Sequence, residues 1–287
     1  MRGLLVALWC AGLLAGCAAP GTGGGPPDAV RLTGLPFHPQ RGFVCGPAAL
    51  STMLAGAGAP VAPADLEGRF YGADGDPRPL MIDIAHTYGR FAYPIQGVEA
   101  MQAELVAGHA VLVVENLGVA IKPLWNCAVA VGYRDGGRHV LLNDDGDEAR
   151  PTARRVLQRL WAETDEWGMV ILRPGELPAT AAEDRMVAAA RGLQRTGHLK
   201  EAVLAYDTTL TRWPRSAPAL MGLGDSLYLL GDVKAAVSAF RSAAAVANDP
   251  APAQAALDRA LAELGRISGG AAGPARHLHD ISAIVYP

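Results

Sequence analysis

The spacing of apolar positions changes along this chain, and the changes mark out its organisation. Segments 45–58, 62–71, 79–89 and 98–108 carry small and apolar residues at helical spacing, and Gly56, Gly58 and Gly108 mark stops. From residue 110 the pattern shifts to runs rich in Val and Leu, which predict strands over 110–115, 126–133, 139–143 and 167–172. The turn RDGGR (134–138) joins the middle two strands as a hairpin, and a helix over 152–164 separates the last two. Helices first and an antiparallel sheet afterwards predict an α+β domain rather than a doubly wound one.

The segment RPGELPAT (173–180) closes this domain, and beyond it the pattern is helical and repeats itself. Leu193 recurs as Leu227, Gly197 as Gly231, Ala202 as Ala236 and Tyr206 as Phe240, a period of 34 residues. That is the period of tetratricopeptide repeats, in which small residues sit where paired helices approach and aromatic residues fill the gap between them. One repeat is read over 183–216 and a second over 217–250. A degenerate third over 251–265 caps the stack; Gly265 keeps the period, but Gly270 stands at the alanine position. The expected organisation is a leader over 1–17, a linker over 18–34, the α+β domain over 35–173, a linker over 174–182, repeats over 183–266 and a tail over 267–287.

Composition narrows the functional classes. Of 287 residues, 50% are hydrophobic and 18% charged, and 25 basic against 28 acidic residues give a net charge of −3. No basic run suited to phosphates is present, so nucleic acid is not an expected partner. No Cys/His cluster has metal-ligand spacing, and DDGDE (144–148) lacks the calcium-loop pattern and reads as a solvated acidic turn. No metal and no cofactor are expected.

The N-terminus reads as a targeting segment. Arg2 supplies a positive charge, and residues 4–14 form an apolar run too short to span a bilayer, which needs about 20 residues. It ends in LAGC, with Cys17 last. This resembles the bacterial lipoprotein cleavage box, which implies cleavage before Cys17 and lipid on that residue; an ordinary secretory signal cut near Ala19 is the alternative. Ala18, not being aspartate, implies by the same resemblance an outer-membrane anchor facing the periplasm. Residues 18–29 (AAPGTGGGPPDA) read as a flexible tether.

Candidate chemistry centres on Cys45. Cys45 begins the first predicted helix, where a thiol pKa falls from about 8.5 to roughly 3.5–7.5 if a cationic histidine or the helix N-terminus favours the thiolate. Pro47 suits a first helical turn. Gln40, five residues before Cys45, is a side-chain donor suited to a developing oxyanion.

The segment QRGFVCGPAAL (40–50) resembles the papain-like cysteine peptidases of the bacteriocin-processing, double-glycine leader type. Within them it resembles a branch of bacterial lipoproteins carrying tetratricopeptide repeats. The resemblance implies an α+β papain-like domain followed by an all-α repeat domain. Cys45 then matches the nucleophile and Gln40 the oxyanion-hole glutamine. Asp144, with Asn143 as a substitute, matches the aspartate that orients the histidine. The family's histidine opens a strand of pattern W-H-Y/F-A-V-V-V-G-Y/F. This chain reads WNCAVAVGY, so Asn126 stands at the histidine position and Cys127 at the aromatic one.

An amide can hydrogen-bond but cannot titrate, so Asn126 can neither ionise a thiol nor protonate a leaving amine. His38, two residues before Gln40, is a candidate displaced base. His139 faces opposite to Asp144 by strand alternation. His109 falls in a turn, His86 on a helix, and His198, His277 and His279 in or beyond the repeats. If Asn126 faces the cleft, alternation turns Cys127 to the other side of the sheet, into the core, and that orientation opposes a disulfide with Cys45.

Three functions follow as expectations. The first is a membrane-anchored, catalytically impaired peptidase-like module that binds an extended peptide or a protein terminus, with a second protein partner on the repeats. The second is an active cysteine peptidase or thiol acyl hydrolase with a displaced base. The third is a repeat-based envelope assembly adaptor.

Overall fold

A computed structural model describes residues 26–39, 46–71, 75–118, 124–144 and 146–269. After a two-residue strand β1 (Val30–Arg31) come helices α1 (Pro47–Gly56), α2 (Pro63–Phe70) and α3 (Arg78–Thr87). Each has proline in its first turn, where the missing N–H would have had no helical partner. Next follow β2 (Phe91–Gln96), α4 (Val98–Val106), β3 (Val111–Asn116), β4 (Trp125–Arg134), β5 (His139–Asn143), β6 (Arg150–Ala153), α5 (Arg154–Trp161) and β7 (Trp167–Leu172). The strands form one antiparallel sheet in the order β2-β7-β3-β4-β5-β6, with β1 pairing on β4.

The expected hairpin is β4–β5, turning through Asp135, Gly136 and Gly137, all at positive φ. The four strands read from sequence are β3, β4, β5 and β7; β1, β2 and β6 were not foreseen. β2 contains Pro94, which removes a ladder donor and reads as a break. It is tolerated because β2 is an edge strand, paired only with β7. The helix expected over 152–164 starts later, because β6 takes residues 152 and 153, and ends in a 3₁₀ turn over 162–164.

The pleat sorts residues into two cores. Leu112, Val114, Cys127, Val129, Val131, Met169 and Ile171 face α1, α2 and α3. Val111, Val113, Ala128, Ala130, Val170 and Leu172 face the other way, and that core runs on through α4 and α5 into the C-terminal helices. Each fully buried Val, Leu or Met contributes about 1.5–3 kcal/mol.

The C-terminal part is a stack of helix pairs, α6 (Glu183–Arg195) with α7 (Leu199–Arg212) and α8 (Ala217–Leu229) with α9 (Val233–Val246), followed by the single helix α10 (Ala251–Gly269). The recurring Gly197 and Gly231 sit in the turns inside each pair at φ +81° and +85°, which an L side chain resists. Ala202, Ala236, Tyr206 and Phe240 are buried at the equivalent positions between helices. Among the described residues no helix is long and apolar enough to cross a membrane.

Several contacts couple the sheet domain to the repeats. The fully buried carboxylate of Glu104 accepts hydrogen bonds from the Thr180 hydroxyl (2.6 Å), the Thr180 N–H (2.8 Å) and the Ala179 N–H (3.1 Å), and it pairs with His109 Nδ1 at 2.7 Å. Burial pushes its pKa up, but His109 and the Thr180 and Ala179 donors outweigh burial and hold it below the usual carboxylate range. The Tyr93 hydroxyl donates to Thr180 O at 2.8 Å and accepts from Ala182 N–H at 2.9 Å. His86, 2% exposed on α3, lies against Gly192 of α6, where any Cβ would run into the imidazole. Both His86 nitrogens lack a hydrogen-bond partner.

Burial, with Arg195 and His198 adding to it against Asp83, pushes the His86 pKa down to about 4 from 6.5. The folded state therefore refuses a proton that the unfolded chain accepts below pH 6.5, so stability falls as pH drops from 6.5 towards 4. The loss reaches about 3 kcal/mol at the lower end of the window. Urea unfolding between pH 7.5 and 5 stays above the range where Glu104 titrates and should show this slope in the native chain but not in His86→Leu. Gly192→Val should cost about 1–3 kcal/mol by overpacking against the same ring.

Candidate functional site

Of the residues singled out from sequence, Cys17, Gln40 and Cys45 lie outside the described residues, as do His277 and His279. Asn126, Asp144, Asn143 and His38 lie within them. Gly46 caps α1 at φ +128°, and a Cβ there would strike the Phe70 ring and approach Met81 Cε at 2.9 Å. The glycine next to Cys45 is thus required by backbone conformation and by the packing of α2 and α3. The Thr52 hydroxyl donates to Pro36 O at 3.0 Å and ties the segment entering the site to α1.

A crevice opens beside the first turns of α1. Its walls include His38, Ala48, Thr52, Cys127, Asn143 and Asp144. Asn143 stands opposite Val129 in the β4–β5 register and so shares the α1 face; its Oδ1 accepts from the Ala149 N–H at 2.8 Å. The Asp144 carboxylate accepts from Arg150 Nε at 2.9 Å and from Arg150 Nη2. That bond to Asp144, partly offset by burial, raises the Arg150 pKa.

Asn126 occupies the other face. Cys127 belongs to the α1-side core and Ala128 to the opposite one, so alternation places Asn126 with Ala128. Its Nδ2 donates to Glu115 Oε2 at 2.8 Å, the two residues being direct partners across β3 and β4. Glu115 is 5% exposed. Sequence reading missed it, although a carboxylate inside the run VLVVEN is the kind of break in an apolar strand that signals a buried polar contact.

Cys127 corrects another expectation. It is buried as foreseen, but it faces α1 and is disulfide-bonded, with its partner outside the described residues. Alternation does oppose Asn126 and Cys127; the error lay in assuming which of the two faced α1. The remaining histidines are placed away from the crevice. His109 pairs with Glu104, His139 Nδ1 with Asp135 at 2.8 Å, and His198 Nε2 lies 2.8 Å from Thr87 O. Among the described residues no group of three or more His, Cys, Asp or Glu side chains could hold a metal ion.

Residues 187–251 match the family model described as tetratricopeptide repeat. A search of curated proteins finds no match. Among solved structures, one described as a C39-like peptidase from Bacillus anthracis is 18% identical, over 51% of this chain and 98% of its own, with a TM-score of 0.44. The peptidase domain of Streptococcus ComA, a bifunctional ABC transporter of a quorum-sensing pathway, is 14% identical over 48% of this chain and 98% of its own, at TM-score 0.39. The chain thus joins an α+β domain to tetratricopeptide repeats, the order of domains expected from its sequence.

The Asn126–Glu115 contact should be measurable. A double-mutant cycle of Asn126→Ala and Glu115→Ala, read by urea denaturation, should give a coupling of about 1–3 kcal/mol, the range for a hydrogen bond to a charged group.

Proposed function

We propose that this protein is a lipid-anchored envelope protein with a papain-like, C39-type domain that no longer cleaves peptides efficiently. It binds a peptide or a protein terminus together with its repeats. The observation that carries this reading is Asn126: at the position where the resembling family has its histidine, this chain has an amide committed to Glu115. Neither group can supply the imidazole that ionises a thiol near neutral pH. Asp144, matched to the orienting aspartate, is held by Arg150 instead. Loss of one triad member typically leaves only about 10³–10⁴-fold catalysis over water. Tetratricopeptide repeats, whose stacking makes concave binding surfaces, support a protein partner. Lipid on Cys17 and an outer-membrane, periplasm-facing location complete the proposal and rest on the LAGC motif.

A second reading has one observation in its favour. His38 lines the crevice beside α1 and could serve as a displaced base for an active thiol hydrolase.

The two are separated by assaying reduced protein against peptide and thioester libraries. The native chain should show no turnover, whereas turnover lost in both Cys45→Ala and His38→Ala would establish the second reading instead. Because Asn126 lies on the sheet face away from α1, Asn126→His should leave alkylation of the reduced Cys45 thiol at pH 7 unchanged. A rise of about tenfold or more, as a thiol pKa lowered by a neighbouring histidine would give, would return position 126 to the site.

A further inference from the structure

We propose that the end of the sheet domain formed by the β4–β5 turn and α5 docks on an anionic phospholipid surface, so that the crevice beside α1 faces away from the membrane. The inference rests on the lipid-anchor reading for the way the chain is held to that surface. It does not depend on whether the crevice is catalytically impaired.

Backbone pairing gathers five arginines at this end. Arg134 and Arg138 flank the β4–β5 turn, and Arg134 stands opposite His139. Strand β6 returns antiparallel to β5 with Ala153 opposite His139, so α5 starts beside the same turn, and the Arg154 N–H donates to Arg138 O at 2.8 Å. Arg155 and Arg159 stand four residues apart on α5 and so share one side of it. The five are dispersed over segments 134–138 and 154–159, so no basic run marks them in the sequence. Val156, next to Arg155, is 48% exposed, an apolar side chain suited to a lipid interface.

The carboxylates here leave an excess of positive charge. Asp135 pairs with His139 at 2.8 Å and with Arg134 at 3.7 Å, and Glu99 pairs with Arg154 at 2.6 Å. Asp28 lies at the turn, and Glu163 lies one turn past Arg159. Arg138, Arg155 and Arg159 are exposed, and among the described residues none of them has a carboxylate partner. The other end of the domain has the opposite sign. Asp144, Asp147 and Glu148 follow the far end of β5, about 13 Å from His139 at roughly 3.3 Å per residue. The crevice, lined by Asn143 and Asp144, is at that acidic end. A charge distribution of this kind turns the arginine end towards a negative surface.

The path of the chain selects a lipid surface over a soluble polyanion. Asp28 O accepts from the Gly136 N–H at 2.8 Å, and Pro27 O accepts from the Tyr133 hydroxyl at 3.0 Å, so the N-terminal segment meets the domain at this same turn. Cys17 is eleven residues before Asp28, and eleven residues reach at most about 40 Å. A lipid on Cys17 therefore tethers the domain by its arginine end.

Co-sedimentation tests the docking on the mature chain carrying Cys17→Ser, which has no lipid of its own. That chain should bind vesicles of phosphatidylglycerol and phosphatidylcholine in equal parts but not phosphatidylcholine alone, and should lose most of the binding at about 0.5 M salt. Each arginine near an anionic surface strengthens binding about fivefold, so Arg155→Gln with Arg159→Gln should weaken it about tenfold or more. Arg215→Gln with Arg241→Gln, both exposed on the repeats, should leave it unchanged. Arg138→Gln gives an independent reading should the double variant not fold. The docking is overturned if the native chain ignores anionic vesicles, if it binds neutral ones equally, or if the patch and repeat variants behave alike. The anchor fails separately: a native protein whose mass shows a bare Cys17 would refute lipidation and leave the vesicle binding standing.

Discussion

Strand β4 is covered on both faces, and that constraint governs the candidate site. A one-residue difference in position along it moves a side chain from the α1 core to the opposite core. Cys127, Val129 and Val131 pack beneath α1; Asn126, Ala128 and Ala130 do not. The carboxylate of Glu115 and the amide of Asn126 meet on the second face because β3 and β4 pair them directly. The site has two chemistries, back to back, separated by the thickness of one sheet: a sulfur beside a helix end and an amide–carboxylate contact.

The same sheet fixes where the repeats begin. Its second face continues into α6, and the connection is secured by polar groups that burial makes costly to leave unpaired. Glu104 collects the Thr180 and Ala179 donors, and Tyr93 holds Thr180 and Ala182. The linker is thereby part of the folded structure, and the first repeat helix rests on both β2 and α3. Arg185 adds a cation–π contact, 5.2 Å from the Tyr93 ring centroid.

Much of this was legible before any coordinates. The repeats announced themselves because Gly197 and Gly231 solve one backbone problem twice, and Tyr206 and Phe240 one packing problem twice. The helices were bracketed by prolines and glycines whose roles are local. What escaped depended on partners distant in sequence. β2 hid behind Pro94, acceptable only because the strand is at an edge; β1 is too short to show a period. Glu115 looked out of place in an apolar run until its cross-strand partner was known. Alternation established that Asn126 and Cys127 oppose each other but carried no information on which faced α1. That required the packing of a helix some eighty residues earlier.

The notch at Gly192 makes the repeat array bespoke. Position 192 is a hollow shaped by an imidazole from another domain, so its tolerance is dictated from outside the array. A generic solenoid grafted at this junction would carry a methyl group or more at that point and evict His86. A change on one side of this seam, at Gly192 or at His86, therefore has to be matched by a change on the other.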